Sequence, residues 1–372
     1  MTSKIKLKQT PLFNYYQKNK IKLVDFGGWA MPIQFTGIVE EHKAVRNEAG
    51  LFDVSHMGEF LVEGEDAKAY LNTLLTNDVT KIAVGESQYH AMCYPDGGTI
   101  DDLILSKLAA NSYLVTVNAS NTQKDYEWMK EKIIGKVTLT NKSDCIGLLA
   151  MQGPLAEKLL QELTKDDLSL IHSFHFKQQL SIAGIDDIMV SRTGYTGENG
   201  FELYLASDKT EELWEKLLEV GKERGLKPCG LGSRDTLRLE SAYSLYGHEL
   251  TAESSPIQAG IGFAVKTTKS SDFIGKKALK QQHKEGMQQK IRGFELLGKG
   301  IARAGCKLYD NKGKEIGLVT SGTKSPTLNK SIGLAFINTE NSAIGSELKI
   351  EIRTKLVDAI LVETPFYGRK IK

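Results

Sequence analysis

Val190-Ser191-Arg192-Thr193-Gly194-Tyr195-Thr196-Gly197-Glu198-Asn199-Gly200-Phe201-Glu202-Leu203 joins two hydrophobic runs and places glycine at 194, 197 and 200. Residues 187–190 read as a strand end and 201–205 as the next strand. The glycines therefore lie in a tight connection, where backbone can take positive φ or approach a ligand closely. Arg192, Tyr195, Glu198 and Glu202 crowd around it. Polar and aromatic groups on a rigid hairpin suit a flat, hydrogen-bonding ring. A glycine-rich turn with ordinary surface charges explains the same letters, and spacing alone does not separate the two. The run is no dinucleotide fingerprint, because G-x-x-G-x-x-G here opens into a strand and not a helix.

Upstream, 39–47 read as a helix stopped near Gly50, 60–62 as a short strand and 66–75 as a helix with Leu71, Leu74 and Leu75 on one face. Strands follow at 89–94, 99–107 and 113–118, with turns at Asp96-Gly97-Gly98 and Asn111-Ser112. A helix at 124–134, strands at 137–140 and 146–151 and a helix opened by Pro154 complete that part. Downstream, 210–220 and 234–245 read as helices, the second with Ser233 as N-cap. Beyond Gly262 short strands alternate with Gly, Asn and Lys turns, at 291–296, 317–320, 332–337, 348–352 and 356–362. That pattern predicts a separate β domain, a barrel or jelly-roll-like sandwich, joined through a Lys-rich linker at 266–286.

The chain has 372 residues, which predicts two or three domains. Hydrophobic residues are 41% and charged residues 25%, as in a soluble globular protein. A net charge of +2 argues against wholesale nucleic-acid binding. Cys93, Cys145, Cys229 and Cys306 are scattered without a C-x-x-C pair, which predicts a reducing compartment and no structural zinc. No apolar run approaches the ~20 residues of a membrane span. Lys4, Lys6 and Lys8 precede no apolar segment, so no secretory signal is expected.

Asp96-Gly97-Gly98-Thr99-Ile100-Asp101-Asp102-Leu103-Ile104 delivers two adjacent carboxylates from a turn onto a strand. Neighbouring side chains on a strand point to opposite faces, so one Asp faces inward. Both faces are apolar here, and the pattern does not say which. A buried carboxylate beside a cleft could transfer a proton or stabilise a cation; two solvated turn residues fit as well. Gly230-Leu231-Gly232-Ser233-Arg234-Asp235 precedes a helix and could bind an anion, or could be a loop with an internal Arg–Asp pair. In Phe52-Asp53-Val54-Ser55-His56-Met57-Gly58-Glu59 the histidine reads best as a satisfied structural residue at a domain junction. His172 and His175 are one helical turn apart but lack a third metal ligand. No P-loop and no G-x-S-x-G element occurs.

Taken in order, several runs resemble one family. They are Asp25-Phe26-Gly27-Gly28-Trp29-Ala30-Met31-Pro32, residues 52–59, Leu75-Thr76-Asn77-Asp78-Val79, residues 97–103, Met151-Gln152-Gly153-Pro154, residues 191–203 and 232–240, Thr320-Ser321-Gly322, Ser325-Pro326-Thr327-Leu328 and Pro365-Phe366-Tyr367. From about Pro11 to Tyr367 the chain resembles the glycine cleavage T-protein family of aminomethyltransferases. The resemblance implies an α+β fold, a three-domain cloverleaf of antiparallel sheets and helices around a central folate site. It implies a discontinuous folate-binding domain at 1–57 plus 145–262, an inserted α+β domain at 58–144, a linker at 263–286 and a β domain at 287–372. It implies transfer of a one-carbon unit from the aminomethyl-lipoyl arm of H protein to tetrahydrofolate, with ammonia released and methylenetetrahydrofolate formed. No metal, flavin or pyridoxal phosphate is implied.

Residue by residue, the family's essential Asp matches Asp102 and its pterin-binding Glu matches Glu202. Arg234 matches a folate-contacting Arg, while Tyr89, Tyr195 and Tyr367 match or adjoin positions lining the folate pocket. The resemblance further implies a cytoplasmic monomer whose partners are lipoylated H protein and tetrahydrofolate, without nucleic acid or membrane. The alternative is a folate-binding iron–sulfur or tRNA maintenance protein of the same fold. Those relatives carry a Lys-Gly-Cys-Tyr-x-Gly-Gln-Glu run, which has no counterpart here. The folate domains of dimethylglycine and sarcosine oxidases come with a flavin domain that this length cannot hold.

Overall fold

The computed structural model describes residues 6–368. Three β systems organise them. The first is a six-stranded sheet in the order Phe176–Ile182, Ile185–Ser191, Gly200–Ala206, Ile146–Gln152, Ala49–Asp53 and Leu226–Cys229. Its last pair is parallel and the others are antiparallel. The second is an antiparallel sheet in the order Ser87–Cys93, Thr99–Ala109, Ser112–Val117, Gly58–Glu63 and Thr138–Asn141. The third is a closed barrel of six strands between Gln289 and Val362. The fold is therefore α+β with a C-terminal barrel, which decides between the two β architectures that the strand spacing allowed.

Each system buries its own apolar face. Leu51, Leu149, Met151, Phe201 and Trp214 pack between the first sheet and its helices. Phe60, Tyr70, Leu71, Leu103 and Val115 fill the second core. Phe294, Leu308, Val319, Ala335 and Leu361 fill the barrel. A further cluster joins Leu114 of the second sheet to Phe52, Leu148 and Ala150 of the first, so the two sheets meet across an apolar seam. The strands at 49–53 and 146–206 belong to one sheet although the whole second sheet lies between them in the chain.

Among the elements that differ from the sequence reading are a helix and the linker. The helix expected at 234–245 runs Leu231–Glu240, with Gly230 as its N-cap. Ser233 lies inside the first turn and its hydroxyl donates to the Gly230 carbonyl at 2.9 Å. The buried Glu41 organises that corner: one oxygen accepts the Gly230 N–H at 2.9 Å, the other those of Phe35, Thr36 and Gly37. The helix stops early because Ala242 takes φ +55°. The Lys-rich linker is no loose tether either. It contains a helix at Lys276–Glu285, and Lys269 is buried with its ammonium on the carbonyls of Asn72, Leu75 and Asn77 at 2.6–2.9 Å. An ammonium has three protons, and here backbone oxygens left open beyond the helix Ala67–Leu74 accept them.

Candidate functional site

Strands Ile185–Ser191 and Gly200–Ala206 are joined by the glycine-bearing connection. A Cβ on Gly194 would lie 2.0 Å from Gln152 Oε1, and Gly197 combines φ +79° with 2.1 Å to Ser241 Oγ. These glycines let the connection lie against a neighbouring strand and a helix end. Its charged residues divide by role. The Arg192 guanidinium serves the Leu168 and Ile171 carbonyls, Glu157 and Asn199, and it lies 4.4 Å over the Phe201 ring. Glu198 pairs with Arg46 at 2.9 Å. Both are held in ion pairs, and with Tyr195 and Glu202 they line a central cavity.

That cavity measures about 2010 Å³ and is lined by Tyr89, Asp102, Tyr195, Glu202, Arg234 and Tyr367 together. All six residues singled out in the sequence meet there, drawn from both sheets, the helix at 231–240 and the C-terminal segment. Tyr89 and Asp102 come from paired strands, and the Tyr89 hydroxyl donates to Asp102 Oδ2 at 2.7 Å. Asn118 Nδ2 donates to Asp102 Oδ1 at 2.9 Å. Burial, and then the neighbouring charge of Asp101, push the Asp102 carboxyl up to about 7. Asp102 is thus the residue of the pair that fronts the cavity. Asp101, fully buried, lies behind the sheet, so neither is a solvated turn residue.

Glu202 accepts from the Thr193 hydroxyl, and burial raises its pKa while the Arg234 charge opposes that. Arg234 lies 4.8 Å over the Tyr195 ring and donates no side-chain hydrogen bond to another described residue, which leaves its guanidinium to the cavity. The Arg234–Asp235 pair that the sequence left open as one alternative is absent among the described residues; Asp235 binds Arg238 at 2.9 Å instead. Tyr195 directs its hydroxyl to the Ser244 carbonyl and presents its ring as wall. Tyr367 is stacked 4.1 Å from the Arg46 guanidinium, with its N–H on the Glu240 carbonyl at 2.9 Å.

His56 corrects its reading as a satisfied histidine. It lines the cavity, its Nδ1 is buried without a partner among the described residues, and burial followed by the Arg234 charge lowers its pKa to about 3. His172 and His175 lie on a loop and not on a helical turn, with rings 5.7 Å apart. No group of three or more potential metal ligands occurs among the described residues. Among the cavity residues that sequence reasoning missed are Asn118 and Phe263. Asn118 was seen only as the end of a strand, although it neighbours the strand that bears the Asp pair. Phe263 was hidden by the start of the Lys-rich segment, and it stacks on Tyr89 at 5.8 Å and 21° while 65% exposed.

Residues 12–269 match the GCVT N-terminal domain and 289–368 the glycine cleavage T-protein C-terminal barrel domain. The chain belongs to the glycine cleavage T-protein family. It is 54% identical to an aminomethyltransferase of Geobacillus sp. (strain WCH70) and 53% identical to one of Anoxybacillus flavithermus (strain DSM 21510 / WK1). Each comparison covers 98% of this chain and 99% of the relative. The glycine cleavage system aminomethyltransferase T from Bartonella henselae superimposes with a TM-score of 0.91 at 32% identity, over 98% of this chain and 99% of that one. At that identity and coverage the T-protein fold carries the T-protein activity, that of a tetrahydrofolate-dependent aminomethyltransferase. The maintenance-protein alternative is not favoured.

Proposed function

We propose that the cavity binds tetrahydrofolate with its pterin on Glu202 and Arg234, and that Asp102 is the catalytic carboxylate of aminomethyl transfer. The observation that carries this reading is one cavity holding a carboxylate fixed by two donors, Tyr89 and Asn118, and a second carboxylate set against an unspent guanidinium. Adjacent N–H donors of a pterin match a carboxylate in parallel, charge-assisted fashion. The rings of Tyr195 and Tyr367 offer flat walls to the rest of the folate.

The donor, H protein, presents an S–CH2–NH2 group on its lipoyl arm. A folate nitrogen forms the new C–N bond, ammonia leaves with one folate proton, and closure of the second C–N bond releases the thiol with the other. Positive charge builds on the carbon or nitrogen of the centre as each leaving group departs. The anionic Asp102 stabilises that charge and accepts a proton from the folate nitrogen. Tyr89 and Asn118 hold the carboxylate in place, so little reorganisation is needed as the charge appears.

Four unpaired cysteines support a reducing compartment, and we place the protein in the cytoplasm. No helix of the described residues is long and apolar enough to cross a membrane. We take the protein to act as a monomer, as the family resemblance implies. The deciding experiment is a single turnover of aminomethyl-loaded H protein with tetrahydrofolate. Ammonia and methylenetetrahydrofolate should appear together, and absence of both overturns the reading.

A further inference from the structure

Asp101 is fully buried, and donors converge on its carboxylate. The Asn118 N–H donates to Oδ2 at 2.9 Å, while Asn118 Nδ2 at 2.8 Å and Asn121 Nδ2 at 2.7 Å donate to Oδ1. Behind it lies Asp125, also fully buried, whose oxygens no donor reaches among the described residues. Burial, and then the charge of Asp101, raise the pKa of Asp125. Lys124 Nζ stands 3.6 Å from Asp125 but is spent on the Ile100 carbonyl and the Tyr246 hydroxyl.

Asp101 and Asp102 point to opposite faces of one strand, yet one amide joins them. Asn118 Nδ2 reaches Asp101 Oδ1, Asp102 Oδ1 and the Asp102 carbonyl at 2.8, 2.9 and 3.1 Å. An amide nitrogen carries only two protons, so three acceptors in reach pin the amide plane. Asp101 also binds the backbone N–H of that same asparagine. Facing Asp102 are Tyr89 from the neighbouring strand, Asn118 and, farther off, Tyr195; no Lys or Arg pairs with it among the described residues.

We propose that Asp101 is a positioning residue for the transfer reaction: through Asn118 it orients the Asp102 carboxylate, and its own carboxylate acts on that group from the opposite face of the strand. The inference rests on the role given to Asp102 above. Orientation and charge act separately. Removing the Asp101 charge lets Asp102 ionise at lower pH. Removing the Asn118 amide takes a hydrogen bond from the anion, so Asp102 ionises at higher pH.

The test is the single-turnover rate against pH for the wild type, Asp101→Asn and Asn118→Ala, with folate titration and thermal unfolding of Asp101→Asn beside it. Both variants should be slower by ~10- to 100-fold, as loss of orientation predicts. The acid limb should move down by roughly one pH unit in Asp101→Asn and up in Asn118→Ala. Folate affinity of Asp101→Asn should stay near the wild-type value. A purely structural role would lower the unfolding temperature and leave the acid limb in place. An unmoved limb in folded Asp101→Asn overturns the proposal. Should that variant not fold, Asn118→Ala decides, and a limb that stays or moves down overturns it. A wild type that releases no ammonia sinks the role of Asp102 instead.

Discussion

At the scale of single residues, the proposed function gives Asp102 and Glu202 different work. Asp102→Asn keeps the shape and removes the charge, so transfer should fall by ~10²–10⁴-fold while the dissociation constant for tetrahydrofolate changes little. Rapid-quench turnover with folate titration checks both halves. Glu202→Gln should show the reverse balance. A charge-assisted hydrogen bond contributes about 1.5–3 kcal/mol, so folate binding weakens and the saturated rate holds. An unchanged dissociation constant removes Glu202 from the pterin site. The pH profile carries the environment of Asp102. Burial first, then Asp101, raises its pKa to about 7, and in the proposed reaction the anion is the working form. Activity should therefore be lost as pH falls through about 7, where an ordinary Asp would keep working to near 4. These roles were open to a reader of the letters only as far as residue type goes. Period-2 alternation placed Asp101 and Asp102 on opposite faces, but both faces were apolar. Only the packing of Asn118, Asn121 and Asp125 against one of them shows which faces the cavity.

At the scale of elements, the glycine-bearing connection was the clearest sequence signal, and its glycines serve close approach. Gly197→Ala meets both a left-handed φ of +79° and the Ser241 hydroxyl at 2.1 Å. Such strain costs ~1–3 kcal/mol, so the unfolding midpoint should drop by ~3–10 °C. Folate affinity should fall with it, because Tyr195 and Glu202 flank the connection; calorimetry and titration on one preparation test this. A variant as stable as the wild type with unchanged affinity would show that the loop relaxes freely. The helix at 231–240 teaches the opposite lesson. Ser233 has the chemistry of an N-cap, yet Gly230 takes that place because the Glu41 carboxylate, distant in sequence, accepts its N–H. A capping rule read from neighbours cannot see such a partner.

At the scale of the whole molecule, a buried polar seam fastens the barrel to the rest. Glu240 accepts from Ser325 and Thr327, Arg238 donates to Ser321 at 2.9 Å, and the Thr320 hydroxyl donates to Glu249 at 2.6 Å. The Thr320-Ser321 and Ser325-Pro326-Thr327 motifs thus earn their place as hydroxyls at that seam, and the C-terminal segment then brings Tyr367 to the cavity. Outside, Lys6, Lys8, Lys18, Lys20 and Lys22 are exposed; Lys4, Arg369, Lys370 and Lys372 lie outside the described residues. If these lysines steer an acidic carrier, the KM for loaded H protein should rise with ionic strength and after deletion of residues 1–8, since screening sets in beyond ~8 Å at physiological salt. A KM flat in both tests makes them solvation only. The sequence by itself placed most of the elements and five of the six barrel strands, and the family resemblance named six candidate site residues, because periodicity, turn chemistry and family motifs are local or ordered along the chain. Periodicity and spacing left open that one sheet forms across an intervening one, that Arg192 and Glu198 are held in ion pairs, that Lys269 is buried and which Asp faces the cavity, and the tertiary structure shows all four. Each of those depends on partners tens to hundreds of residues away, and burial and hydrogen bonding act through space.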